Sequence, residues 1–169
     1  MKIISGLYRR IPIRTSKNLS YRPTKSLVRK SIFDSLRFFN CKSVCDLFSG
    51  TGIIGFESAS RGAESITFVE NNYNSMKLIR ENAKILKGPN YNFFQEDVYK
   101  FLRNCSSYDL IYADPPYNIH DLFYLVNVAL KHLNRNGILI VECDKNQSPF
   151  LNCTLRDFGQ TRILKWVSQ

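Results

Sequence analysis

The chain has 169 residues and a 44% hydrophobic share, enough to fill one core and too little for a second sizeable folded unit. No stretch approaches the roughly 20 apolar residues of a membrane span, and Met1 to Arg10 lacks the apolar centre of a secretory signal, so a cytoplasmic protein with no membrane attachment is expected. The five cysteines form no CxxC pair and have no histidine at ligand spacing, which speaks against a metal centre or a disulfide framework.

The net charge of +10 is local. Residues 1–43 hold eleven Lys and Arg against one acid, Asp34, and the rest of the chain balances to zero. Such a bias suits either a solvated, solubilising face or an arm that follows a phosphate backbone, where each neutralised phosphate releases counterions. On the second reading the candidate nucleic-acid contacts are Arg9, Arg10, Arg22, Lys25 and Arg29, with Tyr8 and Tyr21 available to stack on bases.

In chain order, residues 1–14 alternate loosely and predict a short hairpin or extended arm. Pro23-Thr24 then starts a helix with Leu27, Val28, Ile32, Phe33 and Leu36 at helical spacing, expected to pack on the main domain with its basic face outward. From Ser43 onward apolar runs alternate with amphipathic stretches: Ser43–Phe48, Ser65–Glu70, Tyr91–Gln95, Tyr108–Ala113 and Gly137–Glu142 read as strands. Strands that take turns with helices predict an α/β fold with a parallel sheet covered on both faces. Thr154–Phe158 and Arg162–Trp166 flank Gly159-Gln160 and read as a closing hairpin. The expected division is a basic arm and helix over 1–42, packed on a domain over 43–169.

The first strand runs into Asp46-Leu47-Phe48-Ser49-Gly50-Thr51-Gly52, and with Gly55 the glycines satisfy GxGxxG, while Glu70 closes the next strand. That spacing alone fits a dinucleotide as well as other nucleoside cofactors. Asp46, ahead of the loop, would repel a pyrophosphate and suits a cation, and S-adenosylmethionine carries an ammonium and a sulfonium. Glu70 can accept from two ribose hydroxyls. Asp97 closes the third strand, where it could accept from an adenine amino group while Val98 packs on the ring. The candidate cofactor residues are thus Asp46, Phe48, Ser49, Gly50, Gly52, Glu70, Asp97 and Val98.

Asp114-Pro115-Pro116-Tyr117 follows the apolar run Leu110–Ala113. Two prolines cannot continue a central strand, so they fix a rigid corner at its carboxyl end, where ligands sit in open α/β sheets. An exocyclic base amine is a poor nucleophile, because its lone pair is delocalised into the ring. The Asp114 carboxylate and the Pro115 carbonyl can each accept one of its N–H bonds and orient the nitrogen toward a methyl donor, and Tyr117 can stack on a base drawn out of its helix. Asp114, Pro115, Pro116 and Tyr117 are the candidate catalytic residues.

These pieces, with Ile3-Ile4-Ser5-Gly6, Arg22-Pro23-Thr24, Ser60-Arg61-Gly62-Ala63 and Phe158-Gly159-Gln160-Thr161-Arg162, make the chain resemble the bacterial 16S rRNA (guanine(966)-N2)-methyltransferase family over nearly its full length. The resemblance implies a Rossmann-like class I methyltransferase with a seven-stranded, mostly parallel sheet, and S-adenosyl-L-methionine as donor. It also implies a guanine N2 target in 16S rRNA, presented by the small ribosomal subunit or an assembly intermediate, and a monomer is expected. The family's Arg-Val-Arg-Glu run is here Leu27-Val28-Arg29-Lys30, which loses one cation and reverses the acid.

Adenine-N6 or cytosine-N4 methylation of RNA or DNA would use the same corner, although sequence-specific DNA readout needs base-contacting elements that no segment here is long enough to supply. An NAD-dependent oxidoreductase leaves Asp114 to Tyr117 unexplained. A noncatalytic RNA-binding module has no use for the intact acids and glycines.

Overall fold

The alternating runs form one seven-stranded sheet in the computed structural model, which describes residues 1–15, 26–36, 40–116 and 121–169. Its elements are α1 (Ser26–Ser35), β1 (Ser43–Leu47), α2 (Ile53–Ser60), β2 (Ser65–Val69), α3 (Tyr73–Ala83), β3 (Asn90–Phe94), α4 (Val98–Phe101), β4 (Tyr108–Ala113), α5 (Leu122–Leu130), β5 (Leu133–Asp144), β6 (Thr154–Phe158) and β7 (Thr161–Val167). The strand order is β3-β2-β1-β4-β5-β7-β6. Strands β1 to β5 pair in parallel, and β7 pairs antiparallel with both β5 and β6. This is the Rossmann-like class I methyltransferase architecture. The order reverses between β1 and β4, so the chain leaves the sheet in opposite directions there and opens a crevice at the carboxyl ends of these two strands.

The pleat sorts the core into two layers. Val44, Ile66, Phe68, Leu110, Tyr112 and Ile140 face α1, α2, α3 and the N-terminal segment. Cys45, Leu47, Ile111, Ala113, Leu139 and Val141 face α4 and α5. Gly55 is fixed by the first layer, because a Cβ there would lie 2.3 Å from the Phe68 ring. All five cysteines are free thiols.

Residues 1–14 fold back as a small hairpin: Ile3 N donates to Ile11 O at 3.1 Å, Arg10 N to Ile3 O at 2.9 Å and Ile13 N to Met1 O at 2.8 Å. Its turn lies on the end of α2, where Leu7 N reaches Ser60 O at 2.7 Å and Tyr8 N reaches Ser60 Oγ at 2.9 Å. Beneath it Glu57, fully buried, accepts from Ile4 N at 2.8 Å, Ser5 N at 3.1 Å and Arg61 Nε at 3.0 Å. Val28, Ile32, Phe33 and Leu36 pack inward as their spacing predicts, whereas Leu27 is 67% exposed.

Two differences at strand ends have local causes. The strand expected from Gly137 begins at Leu133, with Asn136 at φ 59° and a register shift opposite Tyr108 and Leu110 carrying the bulge. The first two strands stop one residue early, at Leu47 and Val69, because Phe48 already turns at φ 54° and Glu70 starts the loop beside it. Among the described residues no helix is long and apolar enough to cross a membrane.

Candidate active site

The glycine loop is tied to its neighbours by hydrogen bonds of the protein's own. Phe48, Gly50 and Gly52 take φ of 54°, 52° and 71°, left-handed values that glycine adopts at no steric cost. Buried Ser49 laces β1 to β2: its hydroxyl donates to Asp46 O at 2.6 Å and accepts from Val69 N at 3.0 Å. Glu70 spans the loop from the β2 side, with Oε2 accepting from Gly50 N and Oε1 from Asn72 N, both at 2.8 Å. Its expected ribose-binding role therefore shares the carboxylate with a bracing one, since each oxygen still has a second lone pair.

Asp46 is 2% exposed, and its Oδ2 accepts from Gly55 N at 3.0 Å. Burial pushes its pKa up to about 8; the Gly55 hydrogen bond works against that, and the Glu70 charge adds to it. The folded protein thus holds a proton that the unfolded chain, with its ordinary value of 3.8, releases. This contribution to stability is full below about pH 4 and is lost as pH rises to about 8. Asp46→Asn stays neutral and can still accept from Gly55 N. It is expected to match the cofactor-free parent near pH 4 and to exceed it at pH 8 by at least about 1 kcal/mol in urea unfolding. A stability difference that does not change with pH would refute this.

Asp97 is exposed and caps α4, accepting from Tyr99 N at 2.9 Å and Lys100 N at 3.1 Å through Oδ1. Val98 behind it is buried. The acid thus holds a helix start at the carboxyl end of β3, which is the side of the sheet where the glycine loop lies.

The Asp-Pro-Pro corner leaves the sheet beside that loop. Leu47 and Ala113 are register partners on β1 and β4, so Phe48 and Asp114 are the next residues of two adjacent parallel strands. Neighbouring strands run roughly 4.8 Å apart. Asp114 is partly exposed, Pro115 buried and Pro116 exposed. Tyr117 lies outside the described residues.

The basic residues divide. Arg9 and Arg10 are exposed on the hairpin turn, while Arg22, Lys25 and Tyr21 lie outside the described residues. Arg29 is not on the outward face: it is 3% exposed, with Nη2 donating to Lys2 O at 3.1 Å and Nη1 to Met1 Sδ at 3.5 Å. Burial lowers its pKa, and interactions with Glu57 and Tyr112 raise it. The helix turns this cation inward because the folded-back N-terminus covers it, so Arg29 braces the arm and is withdrawn from the RNA contacts. Tyr8 is also a correction, since it is buried with its hydroxyl on Lys87 O and cannot stack on a base.

Two buried acids carry roles that the motifs do not reveal. Glu57 anchors the hairpin. Glu142, near the end of β5, is 3% exposed and accepts from Tyr112 Oη at 2.9 Å. The available signal is positional: like Asp46, Glu142 lies near the carboxyl end of an apolar strand, and Glu70 and Asp114 directly follow one.

Comparison with known proteins agrees with this geometry. The family described as Conserved hypothetical protein 95 matches residues 1–163. The Ribosomal RNA small subunit methyltransferase D of Buchnera aphidicola subsp. Baizongia pistaciae is 32% identical over 149 residues, covering 84% of this chain and 75% of that protein. The protein of the same name from Haemophilus influenzae is 27% identical over 162 residues, covering 87% and 80%. Among solved structures, a hypothetical protein of Thermus thermophilus superposes with a TM-score of 0.87 at 24% identity over 98% of both chains, a likeness of fold. A ribosomal protein L11 methylase of Lactobacillus delbrueckii gives 0.74 at 20% identity, over 96% of this chain and 87% of that one, again a likeness of fold alone. With the strand order, the paired loops and these relatives together, the chain belongs to the Conserved hypothetical protein 95 family, the family of the ribosomal RNA small subunit methyltransferase D proteins.

Proposed function

We propose that this protein transfers a methyl group from S-adenosyl-L-methionine to the N2 amino group of a guanine in 16S rRNA, presented by the small ribosomal subunit or an assembly intermediate. The observation that carries the reading is the pairing of Leu47 with Ala113, which sends the glycine loop and the Asp-Pro-Pro corner out of adjacent strands into one crevice.

S-adenosylmethionine supplies an electrophilic methyl on a sulfonium. The residues fit it: the buried Asp46 carboxyl is held by a backbone N–H, and a ligand ammonium would keep it as the anion against the cost of burial. Phe48, Ser49, Gly50 and Gly52 shape the cradle, Glu70 takes the ribose hydroxyls, and Asp97 with Val98 bounds the adenine. Asp114 and the Pro115 carbonyl accept the two N2–H bonds of the flipped base, Pro116 keeps the corner rigid, and Tyr117 stacks on the ring. The guanine amine becomes cationic as it takes the methyl, and the Asp114 carboxylate stabilises that charge and receives the proton released. Arg9, Arg10, Arg22 and Lys25 follow the RNA backbone. The same reading takes the protein as a cytoplasmic monomer, with residues 1–42 as a basic substrate arm on a catalytic domain over 43–169.

Purified protein with methyl-labelled cofactor is expected to label small ribosomal subunits more than naked rRNA or duplex DNA, and nucleoside analysis to find N2-methylguanosine. Label confined to DNA would overturn the ribosomal assignment, and N6-methyladenosine or N4-methylcytidine as product would overturn the base.

A further inference from the structure

We propose that the groove between α1 and the closing β6–β7 hairpin seats a second nucleotide of the RNA strand that carries the target, its base on the apolar floor and its phosphate on Arg156 and Lys165; this rests on the rRNA-methylation reading above. The groove has a volume of about 480 Å³, within the range of sites that take a small organic ligand. Buried Ile32, Ile140 and Ile163 and partly buried Phe158 form its floor, in the core layer that faces α1. Along β6, the edge strand, Thr154, Arg156 and Phe158 alternate onto this face. Arg156 Nη1 donates to Ser31 Oγ at 2.8 Å, and Lys165 Nζ donates to Ser35 O, at the end of α1, at 3.4 Å.

The strand ladders relate the groove to the catalytic corner. Ala113 pairs with Val141, and the next rung runs from Glu142 through Ile163 to Arg156. Asp114 directly follows Ala113, so Arg156 stands level with it, three strands away, which is roughly 14 Å. A strand stacked at roughly 3.4 Å per nucleotide covers that span within about four nucleotides, and a splayed one in fewer.

Charge favours an anion in the groove. Asp34 on the rim is paired with Lys30 at 3.0 Å, so Arg156 and Lys165 set the sign. A guanidinium carries several N–H donors in a planar fork that matches phosphate oxygens. The floor is uncharged and accepts the face of any base, so the groove grips the strand without reading its sequence. The Phe158–Arg162 segment serves this site: Gly159 turns at φ 62°, and Arg162 clamps Asp157 through two bonds of 2.8 Å, which fixes Phe158 between them.

The test measures methyl transfer by the full-length protein to small ribosomal subunits. Arg156→Ala is expected to raise KM at least about fivefold with kcat retained, and to lower the slope of log KM against log salt by roughly 0.7, the release for one single-strand phosphate. Ser31→Ala removes the brace and keeps the cation, and is expected to shift KM less than about twofold. In reconstituted subunits, an abasic nucleotide is placed in turn at the positions within about four of the methylated one. At one of them it is expected to raise KM at least about fivefold. That penalty should fall below about twofold in Arg156→Ala, because one nucleotide makes both contacts.

An unchanged KM in Arg156→Ala, an equal rise in Ser31→Ala, or no abasic penalty that depends on Arg156 overturns the groove as a nucleotide site, while transfer by the unmodified enzyme leaves the rRNA reading standing. No transfer to small subunits by the unmodified enzyme overturns both.

Discussion

Replacing Asp114 with alanine is expected to lower kcat/KM for methyl transfer about 10³-fold while the dissociation constant for S-adenosylmethionine changes less than about threefold. The asymmetry follows from position. Asp114 begins the corner after β4, whereas the hydrogen bonds that shape the cofactor loop run among Asp46, Ser49, Gly50, Gly55 and Glu70 on β1, α2 and the end of β2. The variant keeps the cradle and loses the acceptor that orients the amine. Asp114→Asn keeps one acceptor oxygen and loses the charge that balances the developing ammonium, so an intermediate loss of roughly 10–100-fold is expected. Rapid-quench transfer assays with titration calorimetry of the cofactor separate the two effects. Transfer by Asp114→Ala within about tenfold of the parent would remove the carboxylate from the chemistry.

What could be read from the sequence follows from how local each signal is. Tyr108–Ala113 appears with the predicted boundaries because polar Ser106-Ser107 and Asp114-Pro115 bracket an apolar run on both sides. The closing hairpin is legible for the same reason, with Gly159 at φ 62° in its turn. Helical spacing misplaces Arg29 because its burial is made by Met1 and Lys2, distant along the chain, and a cation at a helical position carries no mark of which neighbours will cover it. Glu142 is visible as an acid near a strand end, but its hydrogen bond from Tyr112 depends on the β4–β5 register, which a one-residue slip would reverse. Asp97 lies on the cofactor side, yet its bonds to Tyr99 N and Lys100 N are those of an N-cap, a role that Asp at such a step fills as readily as ligand binding.

Glu57→Ala is expected to cost about 3–5 kcal/mol of stability, the range for removing one partner of a buried charged pair. Three donors lose their acceptor together: the backbone N–H groups of Ile4 and Ser5 and the Arg61 guanidinium, whose side chain is 17% exposed. For a domain of this size the fall in Tm should be roughly 10 °C. The hairpin should suffer first, because its other bonds to α2 meet Ser60, which accepts from Leu7 N and Tyr8 N and donates its hydroxyl to Ser5 O, and Gly6 is wedged so tightly at φ 82° that a Cβ would lie 1.8 Å from Ser60 O. Hydrogen exchange at Ile4, Ser5, Leu7 and Tyr8 should therefore accelerate more than exchange in β1 or β4, and affinity for small subunits should drop with cofactor affinity retained. Uniform acceleration across the sheet would mean that Glu57 supports the whole core and not the seating of the basic arm, and an unchanged Tm would show that water satisfies the stranded donors.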